Sequence, residues 1–253
     1  MNMKDLILLG AIFLLSIQVA AQEKVYNFSP SGNELSIVSD FPGIVLHTTD
    51  KKQIAVTVTS KINDFDIPEM VTLTWDESSN RLKATTDHDK ADKYRRRMRS
   101  NNEEDEEYSY NFYNYITKLE VYLPSSISSV DIDTDHGKIK ASPLPLSIDD
   151  IDVHSNHGSI EIIMQEITEK HDIDIHSDHG HVDISIPEES QLDISARTDF
   201  GNIYSDLDLS YNQEKKGYRH LNQSHIKATY NGGGPSVYVS SDHADLYIRK
   251  SDL

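Results

Sequence analysis

The chain has 253 residues and no cysteine, and its 24 Lys and Arg residues against 42 Asp and Glu give a net charge of −18. Without cysteine it can form no disulfide and cannot be a lipoprotein, which needs a cysteine at its processed N-terminus. The negative charge disfavours nucleic acid and anionic membranes as partners, because their phosphates attract basic proteins. It is compatible with divalent cations and with neutral or basic partners.

Residues 1–21 have the features of a secretory signal peptide. Lys4 precedes an apolar run that ends in Val19, Ala20 and Ala21, as at a cleavage site. An uncleaved anchor is the alternative, but the run is short for a spanning helix. No second apolar run of spanning length follows. The sequence therefore predicts export to the periplasm, the outer surface or the medium, and a mature chain without a transmembrane segment.

Residues 22–89 are predicted to form a less regular N-terminal β region. The segments LSIVSDFPGIVLHTT (35–49) and QIAVTVTSKI (53–62) alternate apolar and polar residues, as half-buried strands do. We expect this region to start or cap the fold that follows, because the ends of a stacked β structure need covering.

Residues 90–115 are predicted to form a charged, tyrosine-rich loop. A basic run, RRRMR, precedes an acidic run, EEDEE, and several tyrosines. The segment could be a binding arm for a polyanion or a glycan. A solvated loop fits better, because the opposite charges neutralise each other locally.

Residues 116–253 contain a repeat. The copies are VDIDTDHGKIKA (130–141), IDVHSNHGSIEI (151–162), IDIHSDHGHVDI (173–184), ISARTDFGNIYS (194–205), the looser IKATYNGGGPSV (226–237) and VYVSSDHADLYI (237–248). Glycines at the turn are Gly137, Gly158, Gly180, Gly201 and Gly233, and the first four are 21, 22 and 21 residues apart. Apolar residues alternate on both sides of each glycine, so each copy reads as strand, turn, strand. One copy cannot bury its apolar face alone, so the period predicts an all-β, β-helix-like solenoid with repeats of about 21 residues.

When the copies are aligned, three columns of equivalent positions precede or include the glycine of each turn. A hydroxyl residue and then Asp or Asn are expected to bond the turn backbone, and the glycine is expected to supply a positive φ. The residue before the glycine is His136, His157, His179, Phe200 or His243. Phenylalanine offers no metal ligand but can stack with other rings, so this column is predicted to be a structural ladder of rings.

A second set of histidines lies on the predicted outer face of the repeats. If the copies stack in register, His154 and His176 become neighbours, flanked by Asp152 and Asp174. Imidazoles and carboxylates at that separation could hold zinc or another divalent ion. With Arg197 they could also line the groove of a carbohydrate-active β-helix enzyme. A hydrated strand face is the simplest explanation, because exposed positions of half-buried strands are usually polar.

The repeated (S/T)-(D/N)-H-G-x-(I/V)-x-(I/V), with the ending NGGGPSVYVSSDHADLYI, resembles an adhesin family of exported bacterial β-strand-repeat domains of unknown function. The resemblance covers most of residues 35–250. It implies a solenoid at the cell envelope and provides no catalytic residues.

Together these observations predict a non-enzymatic, exported β-solenoid that presents a surface for adhesion, with an envelope protein or a glycan as its partner and no cofactor. One alternative is a divalent-metal-binding or sensory envelope protein that uses His154, His176, Asp152 and Asp174 on the outer face. A carbohydrate-active β-helix enzyme is the other. Motifs such as HExxH, GxSxG and the P-loop are absent from the sequence.

Overall fold

The computed structural model describes residues 24–62, 65–100, 115–211 and 224–251, so the predicted signal peptide lies outside the described residues. The strands are β1 Lys24–Phe28, β2 Glu34–Ser39, β3 Gly43–Thr49, β4 Ile54–Ile62, β5 Phe65–Asp66, β6 Val71–Asp76, β7 Arg81–Thr86, β8 Tyr115–Pro124, β9 Ser129–Thr134, β10 Ile139–Ala141, β11 Asp150–Ser155, β12 Ile160–Ile163, β13 Asp172–Ser177, β14 Val182–Pro187, β15 Leu192–Thr198, β16 Ile203–Ser205, β17 Leu209–Tyr211, β18 Ser224–Tyr230, β19 Ser236–Ser241 and β20 Leu246–Ser251. The helical segments are a 3-10 helix, Pro68–Met70, and helix α1, His88–Ser100. Within these ranges, no helix is long and apolar enough to cross a membrane.

The strands form two sheets, and the repeats run back and forth between them. The first sheet has the order β1-β4-β8-β3-β10-β12-β14-β20-β16, with β5 beside β4, and the second has the order β17-β18-β15-β19-β13-β11-β9-β2-β7-β6. Each repeat other than the looser copy at 226–237 places its first strand in the second sheet and its second strand in the first sheet. The predicted all-β solenoid is therefore confirmed, with two strands in each coil.

The coils stack in parallel and in register. Ile151 pairs with Val130 on one side and Ile173 on the other, and Ile160 pairs with Ile139 and Val182. These inward positions are at most 2% exposed and belong to one core that runs through both sheets. Burying each large aliphatic side chain contributes roughly 1.5–3 kcal/mol, so the stacked rows hold the coils together.

The order of the coils in space differs from their order in the chain. The last copy, β19 and β20, lies between the third copy and the fourth, because β19 pairs with both β13 and β15, and β20 with both β14 and β16. The looser copy at 226–237 is not a coil, since its strand β18 runs antiparallel to β15. Gly233 accordingly lies in the turn between β18 and β19, outside the stacked corners.

The corners are built by the hydroxyl column as predicted. Ser155 Oγ accepts a hydrogen bond from the Gly158 amide at 2.8 Å, and Ser177 Oγ accepts one from the Gly180 amide at 2.9 Å. Ser177 Oγ also donates to the Gly158 carbonyl at 3.0 Å, which joins one corner to the next. An equivalent hydrogen bond from the backbone amide three residues later is accepted by Thr134, Thr198 and Ser241.

The expectation of a positive φ at every corner glycine is wrong. Among the described glycines only Gly232 and Gly233, at +99° and +87°, have positive φ. The corner glycines are required for a different reason, which is the close approach of neighbouring coils. A Cβ atom on Gly158 would lie 2.0 Å from the Gly137 carbonyl oxygen, and Gly137, Gly180 and Gly201 meet backbone oxygens at 2.0–2.2 Å. The backbone leaves no room for a Cβ atom at these four corners, whereas the corner of the last coil has Ala244 at the equivalent position.

The N-terminal coil of β2 and β3 continues the stack, since β2 pairs in parallel with β9 and β3 with β10. Beyond it the pairs β6–β7 and β4–β8 are antiparallel. The predicted loop over 90–115 needs correction, because residues 88–100 form helix α1. Asp87 Oδ1 accepts a hydrogen bond from the Lys90 amide at 3.0 Å and begins the helix, and Ala91 is buried against Ile62 and Met70. The rest of that loop, residues 101–114, lies outside the described residues.

Candidate functional site

The outer face of the second sheet carries the polar rows in which the sequence places a site. His154 pairs with His176, and Asp152 pairs with Asp174, as the repeat register requires. The two imidazole rings stack with their centroids 5.2 Å apart. The next residue in the histidine row is Ser240, and Arg197 follows it, because the last coil lies between the third and the fourth.

Both histidines converge on Asp178, a corner residue. Asp178 Oδ1 lies 2.7 Å from His176 Nε2 and 3.6 Å from His154 Nε2. Partial burial acts to raise the pKa of Asp178, but the hydrogen bond from His176 and the charges of both histidines outweigh it, so the pKa is lowered. One ligand atom from each of the three side chains lies within 4.8 Å of the other two, so the group could hold a metal ion.

Asp152 and Asp174 lie one row away and line a shallow groove of about 380 Å³ with the two histidines, Arg197 and Asp242. Burial and repulsion from neighbouring carboxylates raise the pKa of both Asp152 and Asp174. The three-residue group within 4.8 Å contains neither of them. The structure thus places His154, His176, Asp152 and Asp174 on one face, but the carboxylate that both histidines approach is that of Asp178.

Sequence reasoning missed Asp178 because it belongs to the Asp/Asn column that shapes the turns. The signal available was its position two residues after His176. The fourth copy has the same relation, since the Arg197 guanidinium donates to Asp199 at 3.0 Å. In the second copy the equivalent residue is Asn156, which donates to Asp135, so His154 faces Asp178 of the next coil.

The predicted ladder of rings is confirmed at the corners. It runs, in spatial order, through Phe41, His136, His157, His179, His243 and Phe200. Neighbouring centroids are 4.6–5.0 Å apart and the planes are within 14° of parallel. Phe200 ends the ladder and is 63% exposed.

A larger groove, of about 790 Å³, lies on the other side of this ladder, on the outer face of the first sheet. It is lined by His181, Asp183, Tyr247 and Arg249 among others. The Arg249 guanidinium lies 3.0 Å from the Asp183 carboxylate and 4.8 Å from the Tyr247 ring centroid. Burial raises the pKa of Asp183, and Arg249 opposes that effect.

Tyr247 stacks on Tyr204 of the edge strand β16, with centroids 5.3 Å apart. Tyr204 is 48% exposed, and no strand of the first sheet follows β16 in the described part of the chain. Sequence reasoning missed this pair, although both residues stand three positions after a corner, because it could not place the last coil beside the fourth.

Comparisons with known proteins agree with this architecture. No curated protein matches the chain. A "putative cell adhesion protein" from Clostridium sporogenes aligns over 91% of this chain and 99% of its own at 10% identity, and its TM-score of 0.55 shows a shared fold. A "putative adhesin" from Bacteroides fragilis aligns over 92% and 98% at 9% identity, with a TM-score of 0.32.

The family model described as Toastrack DUF4097 matches residues 124–249. That segment contains all the stacked corners from Gly137 onward, together with both grooves. Residues 124–249 of the chain therefore form a Toastrack DUF4097 domain.

Proposed function

We propose that the chain is a non-enzymatic, exported adhesin of the bacterial cell envelope that binds neutral glycans in the groove of the first sheet. The observation that carries this proposal is the pair of stacked tyrosines, Tyr204 and Tyr247, beside that groove. Tyr204 ends its row with an exposed ring. Sugars pack the apolar face of their ring against such aromatic surfaces, while polar groups around the ring bond to the hydroxyls.

The polar groups beside the tyrosines suit a glycan. Asp183 accepts and Arg249 donates hydrogen bonds, and their ion pair holds both in position. His181 and Asp245 add a further donor or acceptor in the same groove. Because the groove is shallow and open, it suits one segment of an extended chain better than a small molecule that must be enclosed.

The charge of the chain selects among glycans. With a net charge of −18, the protein repels anionic polysaccharides at long range, so neutral glycans are the favoured class. The predicted signal peptide and the family resemblance support export to the envelope, where such glycans are accessible. The name "putative cell adhesion protein" of the Clostridium sporogenes structure supports the same role.

Binding of the purified protein to an array of neutral and acidic glycans tests the proposal. We expect neutral glycans to be retained and Tyr204→Ala to weaken binding at least about tenfold, which corresponds to about 1.4 kcal/mol. Tyr204→Phe keeps the ring and is expected to keep most of the affinity. Tyr211→Ala is the matched control, because Tyr211 is also an exposed tyrosine on an edge strand but lies in the second sheet.

Two outcomes would overturn the proposal. One is an array on which the folded protein retains no neutral glycan. The other is a bound glycan whose affinity is the same for wild type and Tyr204→Ala, since the tyrosine pair would then not be the site.

A further inference from the structure

We propose that His154, His176 and Asp178 form a binding site for a divalent transition metal ion such as zinc. This site lies on the outer face of the second sheet and does not rest on the glycan proposal. Two imidazole nitrogens and a carboxylate oxygen are ligands that zinc takes readily, with metal–ligand distances of about 2.0–2.2 Å. The three side chains converge, since one ligand atom from each lies within 4.8 Å of the other two.

The distances are close to those that a tetrahedral ion needs. Ligand atoms around such an ion lie about 3.3 Å apart, from bonds of about 2.0–2.1 Å. Asp178 Oδ1 is 2.7 Å from one imidazole nitrogen and 3.6 Å from the other, and no pair in the group exceeds 4.8 Å. Movements of side chains alone, each below about 1.5 Å, would complete the arrangement.

The second nitrogen of His176 is hydrogen-bonded, and that of His154 lies near a carboxylate. His176 Nδ1 lies 2.7 Å from Ser240 Oγ, whereas His154 Nδ1 lies 3.7 Å from Asp133 Oδ1, beyond hydrogen-bond distance. A hydrogen bond like that of His176 fixes the orientation of a metal-binding imidazole and raises its basicity. These contacts leave both Nε2 atoms directed at Asp178, which is the observation that separates this group from an ordinary exposed ion pair.

The surrounding charges favour a cation. Asp133, Asp152 and Asp174 lie on the adjoining positions of the same face. The nearest cationic side chain in the row, Arg197, is two strands away from His176 and bonded to Asp199. Three protein ligands leave a fourth position toward the open groove, which water or a polar group of a partner can fill.

Calorimetric titration of the purified protein with zinc chloride tests the site. We expect one zinc ion per chain at micromolar affinity or tighter. His154→Ala and His176→Ala should each weaken binding at least tenfold, and the double variant should abolish it. Ser240→Ala should weaken binding by about tenfold or more, because it removes only the support behind His176.

His157→Ala is the matched control, because it removes an exposed histidine of the ring ladder that is not part of the group. Asp178→Asn keeps the size and a hydrogen-bonding oxygen, so it tests the carboxylate even if a histidine variant fails to fold. Cobalt(II) provides a second readout, since tetrahedral coordination gives intense visible absorption that should be lost in Asp178→Asn. The proposal is overturned if zinc binds only at millimolar concentration, or if the His154, His176 and Asp178 variants bind it like the wild type.

Discussion

Replacement of Gly158 by alanine is the sharpest test of how the coils stack. A Cβ atom at this position would lie 2.0 Å from the Gly137 carbonyl oxygen, whereas ordinary contacts begin at 3.4 Å. The corner must therefore move by about 1.4 Å relative to its neighbour. The obstacle is backbone on a paired coil, so no side-chain rotation can relieve it.

The cost follows from what that movement breaks. The Asn156 amide donates to the Thr134 carbonyl at 3.0 Å, and the His157 amide donates to the Asp135 carbonyl at 2.8 Å. Losing two such bonds costs about 1 kcal/mol each, and the overpacking costs about 1–3 kcal/mol more. We expect Gly158→Ala to lower the free energy of unfolding by about 3–5 kcal/mol.

Urea denaturation followed by far-UV circular dichroism measures this loss. Gly32→Ala is the control, because its nearest obstacle is the Asn80 side chain at 3.4 Å, and a loss below about 1 kcal/mol is expected there. If Gly158→Ala also lost less than about 1 kcal/mol, the corners would not be in backbone contact and the close-approach explanation of these glycines would be wrong.

Three further predictions concern the outer face of the second sheet and the corners. Partial burial and repulsion from Asp131 and Asp150 raise the pKa of Asp152 above 3.8, which lowers stability at pH values above that pKa and has no effect well below 3.8. Asp152→Asn should therefore stabilise the protein by about 0.5 kcal/mol at pH 7, and urea titrations should show the gain shrinking toward pH 4; an equal gain at both pH values contradicts this cause. His157→Ala should lower the free energy of unfolding by about 1–2 kcal/mol, because two ring contacts are lost. His157→Phe should be nearly neutral, because Phe200 and Phe41 occupy the same ladder. Thermal melts in which both variants lose the same stability would contradict ring stacking. Ser177→Ala should lower the free energy of unfolding in urea by about 1–3 kcal/mol, because it leaves the Gly180 amide and the Gly158 carbonyl without their partner. Ser177→Thr should lower it less, since Thr134 and Thr198 occupy the same position in other copies. Equal losses of stability in the two variants would show that side-chain volume, not the hydroxyl, matters.

Local periodicity was sufficient to predict the solenoid, the buried rows and the ring ladder. Alternation of period two fixes which side chains face the core, and a constant repeat length keeps them in register. For that reason the neighbourhood of His154 and His176 could be read from the sequence alone.

The order of the coils could not be read in this way. The corner patterns of the copies are too alike to specify which copy stacks on which, so nothing in the sequence indicates that β19 and β20 lie beside β13 and β14. Two contacts depend on that order and therefore could not be predicted: Tyr204 with Tyr247, and Ser240 with His176.

Two other features depend on backbone geometry that a sequence does not display. A glycine at a corner is equally consistent with a positive φ and with close approach, and only the distance from Gly158 to the neighbouring coil decides between them. Helix α1, His88–Ser100, extends into a run whose charges indicated a loop, and the burial of Ala91 against Met70 was not visible in the pattern.

Ring-proton resonances recorded during titration with a neutral glycan from the array test the proposed binding site most directly. We expect the signals of Tyr204, Tyr247 and Phe200, which also lines the groove, to shift with saturation. Those of Tyr26 and Phe28, on β1 at the far edge of the same sheet, should stay unchanged. Shifts confined to β1, or an absence of shifts in the tyrosine pair while the glycan binds, would contradict the site.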